Sequence, residues 1–300
     1  MVRVLKSEGN YMTEQKSADC IVCRRPMRSG LTSWHFVCGG CAYESAALEP
    51  AINQSTTHEL LNEDQREIAL KQLRNETFRT IVARARHHVA AGNRRLLDVG
   101  SAHGWFLEQA MAQFDVVGIE PDEVVGGRAA ARGLPVRRGY FPQALEAGET
   151  FDVIVFNDVI EHIPDIQIAL EACRERLNSN GLLILNLPCS GGFFYRTAKL
   201  LAACKVGGPF DRMWQKSLPS PHVHYFNPVN LPMLVGRAGF TPVESFELPS
   251  VRPEGLLERV RCVGNTGAAL SYIQYLVIRA TIPFLRMFQS DIIVCMFRKT

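Results

Sequence analysis

The sequence lacks the segments that would carry it into or across a membrane. Residues 1–19 are mixed and polar, without the apolar core of a signal peptide, and we expect a loose tail there. No apolar run approaches the roughly 20 residues of a membrane span. The best candidate, 270–285, is broken by Gln274 and Arg279. Internal repeats and low-complexity tracts are also missing. We therefore expect a soluble, cytoplasmic protein with one large domain.

The chain also lacks a strong overall charge, because its net charge of +3 excludes no class of partner. The distribution is more informative. Residues 193–300 hold 13 Lys/Arg and 6 Asp/Glu. This basic third suits an anionic partner, such as a phosphorylated substrate, RNA or a membrane surface, although a solvated basic face would have the same composition.

The cysteines do not have the layout of a disulfide framework. Five of the nine lie in apolar surroundings, where free cysteines behave as small hydrophobic residues: Cys173, Cys189, Cys204, Cys262 and Cys295. The other four form two CxxC pairs, 14 residues apart, within CIVCRRPMRSGLTSWHFVCGGC: Cys20, Cys23, Cys38 and Cys41. This spacing predicts a zinc ribbon with tetrahedral Zn²⁺. Four thiolates leave no open position for a reacting water, so the zinc is expected to be structural; a free-thiol or disulfide-bonded loop is the alternative.

Four regions follow from this reading. We predict a flexible tail, a zinc ribbon with its linker, a connecting helix that could cover a ligand, and a main domain: 1–19, 20–58, 59–94 and 95–300. From residue 95 onward, short apolar strands alternate with helices, which indicates a parallel sheet covered on both faces. The predicted strands are 95–100, 115–120, 134–140, 151–158, 181–188, 240–248 and 291–299. Insertions on the acceptor side are expected near 191–228 and 254–289.

The turn after the first strand of this domain, DVGSAHG, has the composition of a ligand-binding loop. Gly100 and Gly104 let the backbone approach a ligand closely. Ala102 and Trp105 stand where the dinucleotide fingerprint needs its second and third glycines, so pyrophosphate is poorly supported. Asp98 would oppose a pyrophosphate and would help a ligand that carries an ammonium and a sulfonium group. The charge therefore favours S-adenosylmethionine.

An acid at the end of the second strand supports the same cofactor. Glu120 follows Asp98 by 22 residues, at the distance where a carboxylate can accept both hydroxyls of an adenosine ribose. Pro121 and the residue after it start the next helix.

Together these segments resemble the successive motifs of class I S-adenosylmethionine methyltransferases. DVGSAHG, IEPD, FDVIVFNDVIEHIPD and NGLLILNLP carry the resemblance, over roughly residues 95–250. It is closest to the branch that includes ubiquinone-pathway and sugar or glycan methyltransferases. We accordingly expect an α/β fold: a Rossmann-like seven-stranded sheet, mostly parallel with the last strand antiparallel, preceded by the small zinc ribbon.

The resemblance implies a set of cofactor residues. It implies that the methionine part is wrapped by Asp98, Gly100, Ser101, Ala102 and Gly104. It also implies that Glu120, followed by Pro121, holds the ribose and that Tyr140 or Phe141 lies beside the adenine. Many members carry an acid near Tyr140, and GYF stands there in this chain, so ring stacking could replace that contact. Asn157 and Asp158 are expected to line the floor beside the methyl group.

The acceptor side is predicted from two histidine-containing segments. Glu161 and His162 follow the fourth strand, and His162 is a natural general base for a hydroxyl or carbon acceptor, although the pair could simply anchor the loop. In SPHVHYFNP, alternation puts His222 and His224 on one side of an extended segment, where they could act as a base, bind a metal, hold an acceptor phosphate or stabilise the loop. The intervening stretch, 191–217, could be a lid, a membrane contact or ordinary packing.

Three functions remain open from the sequence. The first is methyl transfer to a small-molecule or glycan acceptor, with a sugar hydroxyl or carbon favoured and a phosphorylated acceptor allowed. The second is an RNA methyltransferase with a zinc ribbon, for which Arg24, Arg25 and Arg28 would suit phosphates. The third is a non-catalytic zinc-ribbon binding protein. The acceptor, the methylated atom and the oligomeric state are not fixed by the sequence.

Overall fold

A computed structural model describes most of the chain. The described residues are 19–51, 63–92, 94–253, 256–257, 260 and 268–300. The predicted tail, apart from Asp19, lies outside them, as do Cys262, most of the linker beyond Ala51 and part of the insertion at 254–289. No helix among the described residues is long and apolar enough to cross a membrane.

The N-terminal module is a small antiparallel sheet. Its strands are β1 (Met27–Ser29), β2 (His35–Cys38) and β3 (Glu44–Ala46). A fourth strand, β9 (His224–Tyr225), comes from the far end of the chain and pairs with β3, Glu44 opposite Tyr225. The module therefore shares its sheet with the segment that the sequence assigns to the acceptor side.

The main domain contains the predicted seven-stranded sheet. Its strands are β4 (Arg95–Val99), β5 (Asp115–Glu120), β6 (Val136–Arg138), β7 (Phe151–Asn157), β8 (Leu177–Pro188), β10 (Phe240–Leu248) and β11 (Ile292–Lys299). The spatial order is β10-β11-β8-β7-β4-β5-β6. Only the last strand, β11, runs antiparallel to its neighbours β8 and β10. The predicted α/β fold with an antiparallel last strand is confirmed.

The helices cover both faces of this sheet, as the strand sequences require. They are α1 (Glu63–His88), α2 (Trp105–Ala110), α3 (Glu123–Ala131), α4 (Ile166–Arg176), α5 (Phe193–Ala203), α6 (Gly208–Met213), α7 (Asn230–Arg237) and α8 (Ala268–Leu285). Successive side chains of a strand point to opposite faces. Leu96 accordingly packs in a core with Ile81 of α1, and Leu97 packs in a second core with Leu170 of α4.

Strand β8 begins earlier than the sequence predicts. It starts at Leu177 rather than at Gly181, because Leu177 pairs with Phe151 before a register shift brings Leu182 opposite Val153. The intervening residues Asn178 to Asn180 are polar and partly exposed, so periodicity gives no strand signal for them.

Candidate active site

A cavity of about 520 Å³ opens at the carboxyl ends of the three central strands β4, β5 and β7. Ligands of open α/β sheets bind at this edge, where the strand order reverses. Ten of the eleven predicted cofactor residues line the cavity: Asp98, Gly100, Ser101, Ala102, Glu120, Pro121, Tyr140, Phe141, Asn157 and Asp158. Gly104 does not line it; this residue lies at the start of α2.

The glycine loop needs its left-handed backbone conformation. Gly100 has φ +71°, and a Cβ atom built on it would lie 2.5 Å from Cγ2 of Val159. Gly104 has φ +73° and precedes the first residue of α2. Side chains are disfavoured at both positions, for steric reasons as well as for backbone strain. The loop backbone can therefore stay close to the cavity.

Asp98 is almost completely buried beneath this loop. Its carboxylate accepts a hydrogen bond from Nδ2 of Asn157 at 3.1 Å. Burial raises the pKa of Asp98 to about 8; the bond from Asn157 lowers it, and nearby Glu120 raises it further. A cationic ligand would favour the ionised form. The site therefore suits a ligand that brings positive charge to the loop.

Glu120 joins the second strand to the glycine loop. Its Oε2 accepts a hydrogen bond from the backbone N–H of Ala102 at 2.7 Å, and its Oε1 accepts one from the N–H of Asp122 at 2.8 Å. Burial raises the pKa of Glu120 to about 6, although these two bonds lower it. Each oxygen keeps a second lone pair, so the carboxylate can still accept ligand hydroxyls.

The other cofactor candidates occupy the rim and the floor. Tyr140 is half exposed, and Phe141 packs edge-on against Phe156 with ring centroids 5.7 Å apart. The buried hydroxyl oxygen of Ser101 has no hydrogen-bond partner among the described residues. An unsatisfied buried hydroxyl beside a cavity is a position where a ligand could bind.

Helix α1 closes one side of the cavity. Arg74 and Phe78, both on α1, are among the lining residues. The guanidinium of Arg74 donates to the carboxylate of Asp158, which has φ +54° at the end of β7. The connecting helix thus covers the cavity, as the sequence suggested, although no sequence signal identified Arg74.

His162 faces the same cavity from the acceptor side. It lies in a single turn of 3₁₀ helix, Ile160–His162, directly after β7. A carbonyl oxygen can only accept, so the 2.9 Å contact between Nδ1 and the carbonyl oxygen of Pro221 means that Nδ1–H donates. Neutral His162 therefore keeps a lone pair on Nε2. Burial lowers the pKa of His162, which favours this neutral form.

Glu161 and His222 surround the Nε2 side of His162. Oε1 of Glu161 lies 3.8 Å from Nε2 of His162 and 4.0 Å from Nε2 of His222. Glu161 is fully buried, and neither carboxylate oxygen has a hydrogen-bond partner among the described residues. Burial raises the pKa of Glu161 to about 8 and lowers the pKa of His222 to about 3. One donor atom from each of the three lies within 4.8 Å of the others, so the cluster could also hold a divalent cation.

Three of the four predicted catalytic residues do not line the cavity: Glu161, His222 and His224. Both ring nitrogens of His224 are engaged. Nδ1 contacts the hydroxyl of Tyr43, and Nε2 lies 3.0 Å from the carbonyl oxygen of Ile163. His222 and His224 therefore face different surroundings, although strand alternation predicted a common side.

The four cysteines converge as the CxxC spacing predicts. The Sγ atoms of Cys20 and Cys41 are 3.5 Å apart, those of Cys23 and Cys38 are 3.3 Å apart, and all four lie within 4.8 Å of one another. Tetrahedral zinc with Zn–S bonds of about 2.3 Å requires sulfur atoms separated by roughly 3.8 Å. The donor set therefore fits Zn²⁺.

A buried carboxylate fastens this module to the acceptor-side insertion. Oε2 of Glu44 contacts Nε2 of His35 at 2.7 Å and accepts from the hydroxyl of Tyr195 at 2.9 Å. Oε1 accepts from Nζ of Lys199 at 2.7 Å. Tyr195 and Lys199 belong to α5. No local pattern in the sequence marks Glu44, because its partners on α5 lie about 150 positions away.

Comparison with known proteins agrees with the fold. A family model described as a methyltransferase domain matches residues 62–245. The match covers more than half of the chain, and the chain belongs to this methyltransferase family.

Among curated proteins, the chain is similar to ubiquinone biosynthesis O-methyltransferases. It is 32% identical to that of Cereibacter sphaeroides over 164 residues, which are 50% of this chain and 61% of the relative. It is 30% identical to that of Azorhizobium caulinodans over 154 residues, which are 49% of this chain and 58% of the relative. The chain thus spans about three fifths of the length of these relatives.

Solved structures share the fold at low sequence identity. A methyltransferase of Thermotoga maritima, described as a possible histamine N-methyltransferase, is 17% identical with a TM-score of 0.53, over 81% of this chain and 97% of that one. The cyclopropane synthase MmaA2 of Mycobacterium tuberculosis is 15% identical with a TM-score of 0.50, over 73% and 83%. These likenesses concern the fold alone.

Proposed function

We propose that the protein transfers the methyl group of S-adenosylmethionine to a hydroxyl of a small-molecule acceptor. The observation that carries the proposal is the arrangement of one cavity: buried carboxylates at Asp98 and Glu120 on the sheet edge, and the bare Nε2 of His162 on the acceptor side. The names of the relatives, which are O-methyltransferases, support an oxygen acceptor.

The cofactor residues would bind different parts of the cofactor, according to their charge and shape. Asp98 would face the ammonium and sulfonium groups, and Glu120 would accept the ribose hydroxyls. Gly100, Ser101 and Ala102 would bring backbone and hydroxyl groups to the methionine part, with Gly104 starting the helix behind them. Tyr140 and Phe141 would flank the adenine, and Asn157 and Asp158 would form the floor. When bound, the cofactor supplies an electrophilic methyl group on a sulfonium.

The acceptor residues would position the hydroxyl and remove its proton. Neutral His162 would accept that proton at Nε2, while its Nδ1–H stays bonded to Pro221. Where Glu161 is ionised, its Oε1, 3.8 Å from Nε2 of His162, would stabilise the resulting imidazolium by charge. His222 would pack against His162, with ring centroids 4.8 Å apart. The cluster of Glu161, His162 and His222 could instead hold a divalent cation, which is the second role that its geometry allows.

The finer identity of the acceptor is proposed from composition. The basic residues of the C-terminal third suit a phosphorylated or nucleotide-linked sugar. RNA remains the alternative macromolecular acceptor, and a non-catalytic binding role is the alternative without chemistry. We also propose a cytoplasmic location and a structural zinc ion at Cys20, Cys23, Cys38 and Cys41.

An acceptor panel tests the proposal directly. The full chain is incubated with methyl-labelled S-adenosylmethionine and, in separate reactions, with catechols and other phenols, nucleotide-linked sugars, and total RNA, each with and without added Mg²⁺. We expect label on the oxygen of a small molecule. Transfer to RNA alone would support the ribbon-type RNA methyltransferase, and absence of cofactor binding would support the non-catalytic alternative.

A further inference from the structure

Helix α8 exposes apolar side chains on the side that faces away from the protein. An ordinary surface helix buries its apolar face and exposes its polar one. In α8, Ile273, Val277 and Phe284 are 56%, 58% and 53% exposed. Their spacing of four and seven residues puts them on one side of the helix. Leu270 and Leu276 extend this side of the helix, and the exposed Tyr272, about 100° around the helix from Ile273, lies at its edge.

The side of α8 that packs on the protein is narrow. Ser271 and Ile282 are the buried residues of this helix among those whose burial is described, at 1% and 6% exposure. They lie eleven positions apart, which is three helical turns, and so share one side. The apolar outer face is therefore opposite to the attachment of the helix.

The apolar face continues beyond the end of α8. Met287 is 79% exposed and Phe288 is 42% exposed. The ring of Phe288 lies 4.9 Å from that of Phe193, the first residue of α5. The outer face of α8 thus meets the start of the acceptor-side insertion and forms one surface with it.

The charges along α8 have one sign, and the nearest acids lie at the edge of the surface, where Glu247 accepts from the N–H of Ser290 and Asp291 accepts from the N–H groups of Phe194 and Tyr195. Residues 268–290 contain Arg279 and Arg286 and no acidic residue. These two arginines are seven positions apart, on one flank of the apolar face. Across the contact with Phe193, residues 193–210 add further basic side chains and no acid: Arg196, Lys199 and Lys205. Lys199 is paired with Glu44, so it contributes less to the field at the surface.

We propose that the outer face of α8, together with Met287, Phe288 and Phe193, is a docking surface for an anionic lipid membrane, on which the helix lies flat. An apolar face flanked by arginines matches acyl chains below anionic headgroups. A second copy of the chain fits less well. In a twofold dimer the same patch would meet itself and would bring the basic side chains of both copies together.

Vesicle co-sedimentation of the full chain tests this inference. We expect the protein to pellet with vesicles of phosphatidylcholine and phosphatidylglycerol, and much less with phosphatidylcholine alone. The double substitution Ile273→Asn/Val277→Asn should weaken binding tenfold or more. The charge substitutions Arg279→Gln and Arg286→Gln should each weaken it about fivefold, since one basic residue near the surface contributes about 1 kcal/mol.

A matched control tests whether the loss of vesicle binding is specific to α8. Ile168 and Val229 are also apolar and exposed, at 59% and 69%, but belong to the main domain away from this helix. Ile168→Asn/Val229→Asn should therefore bind vesicles like the wild type. Cofactor affinity, measured for every variant, shows that each chain is folded and separates this inference from the proposed function.

Two results would overturn the inference. One is a wild-type chain that stays in the supernatant with anionic vesicles. The other is a concentration-dependent dimer, seen by sedimentation velocity, that Ile273→Asn/Val277→Asn abolishes while vesicle binding is missing or unchanged. That second result would assign the face to a second copy of the chain.

Discussion

The Nδ1–H group of His162 donates a hydrogen bond to the carbonyl oxygen of Pro221, 59 residues further along the chain, at 2.9 Å. This bond fixes the tautomer of the imidazole ring and leaves Nε2 able to accept a proton. The prolines around position 221 restrict the loop that supplies the carbonyl. The proposed base is therefore oriented by the acceptor-side insertion.

Replacing His162 should impair turnover and spare cofactor binding. We expect His162→Gln to lower kcat by about 10²–10⁴-fold, the usual contribution of a general base, with unchanged affinity for S-adenosylmethionine. Because burial lowers the pKa of His162, the neutral base is already present at neutral pH. Wild-type kcat should therefore stay level around neutrality and fall only as pH drops below the ordinary range of histidine.

The exposed His87 of α1 supplies the control for this variant. His87→Gln should leave both kcat and its pH profile unchanged. If His162→Gln kept full activity, or lost cofactor affinity in proportion to its rate, the assignment of His162 as the base would be wrong.

Asp98 should couple cofactor binding and stability to pH. In the ligand-free protein the pKa of Asp98 is raised to about 8 from an ordinary value of 3.8. Between these two values the folded state binds more protons than the unfolded state, so the contribution of Asp98 to stability falls as pH rises. Affinity for a cationic cofactor should rise over the same interval, because the ionised carboxylate is the form that binds.

The substitution Asp98→Asn should remove both the pH dependence of stability and the pH dependence of cofactor affinity that Asp98 causes. At pH about 8 the ligand-free variant should melt higher than the wild type, by about 2–4 °C for each kcal/mol of relieved charge burial, and should bind the cofactor weakly. The difference in melting temperature should shrink toward pH about 4. Parallel melting curves of the variant and the wild type across this range would refute the linkage. Asp115→Asn, at an exposed position, is the control.

Two glycine substitutions separate the cost of a steric contact with Val159 at Gly100 from the cost of the left-handed backbone conformation. Gly100→Ala should lower stability by about 1–3 kcal/mol and weaken cofactor binding, because the new methyl group meets Val159 and φ is +71°. Gly133 has φ +81°, and a Cβ there would meet nothing within 4 Å. Gly133→Ala should therefore show only the cost of the backbone conformation, with normal cofactor affinity. Equal effects of the two substitutions on cofactor affinity would argue against a close approach at Gly100.

Zinc should support the acceptor side through the shared strand pair β3–β9. We expect elemental analysis to find one zinc ion per chain, and Cys23→Ser to lose most of it. Since β9 begins two residues after His222, loss of the metal should raise KM for the acceptor and lower kcat more than it changes cofactor affinity. Cys204→Ser, at an exposed cysteine outside the cluster, should keep the zinc. A wild-type chain without zinc that retains full activity would contradict this role.

Much of the fold could be predicted because its signals are local. Strand β7 is buried from Phe151 to Phe156 and is apolar there apart from Asp152, as expected of a strand covered on both faces. Strands β5 and β10 have the predicted bounds. The glycine loop and Glu120 were found because a fixed spacing along one strand-helix-strand unit carries them to the same edge.

The acceptor side could be predicted only in part, because its contacts join distant segments. Arg74 and Asp158 are separated by 84 residues, and Glu44 and Tyr195 by 151. Alternation along an extended segment predicted one common side for His222 and His224. In the structure, His222 lies in the cluster with Glu161, whereas His224 contacts Tyr43. This difference follows from the pairing of β3 with β9.

Calorimetric titration of the full chain with S-adenosylmethionine is the most direct test of the central claim. We predict saturable binding of one molecule per chain, with affinity that strengthens as pH rises toward about 8. Glu120→Gln should weaken it about tenfold or more, through lost charge-assisted hydrogen bonds to the ribose, while Glu123→Gln on α3 should not. Absence of saturable binding, or equal affinity in the wild type and Glu120→Gln, would contradict the account.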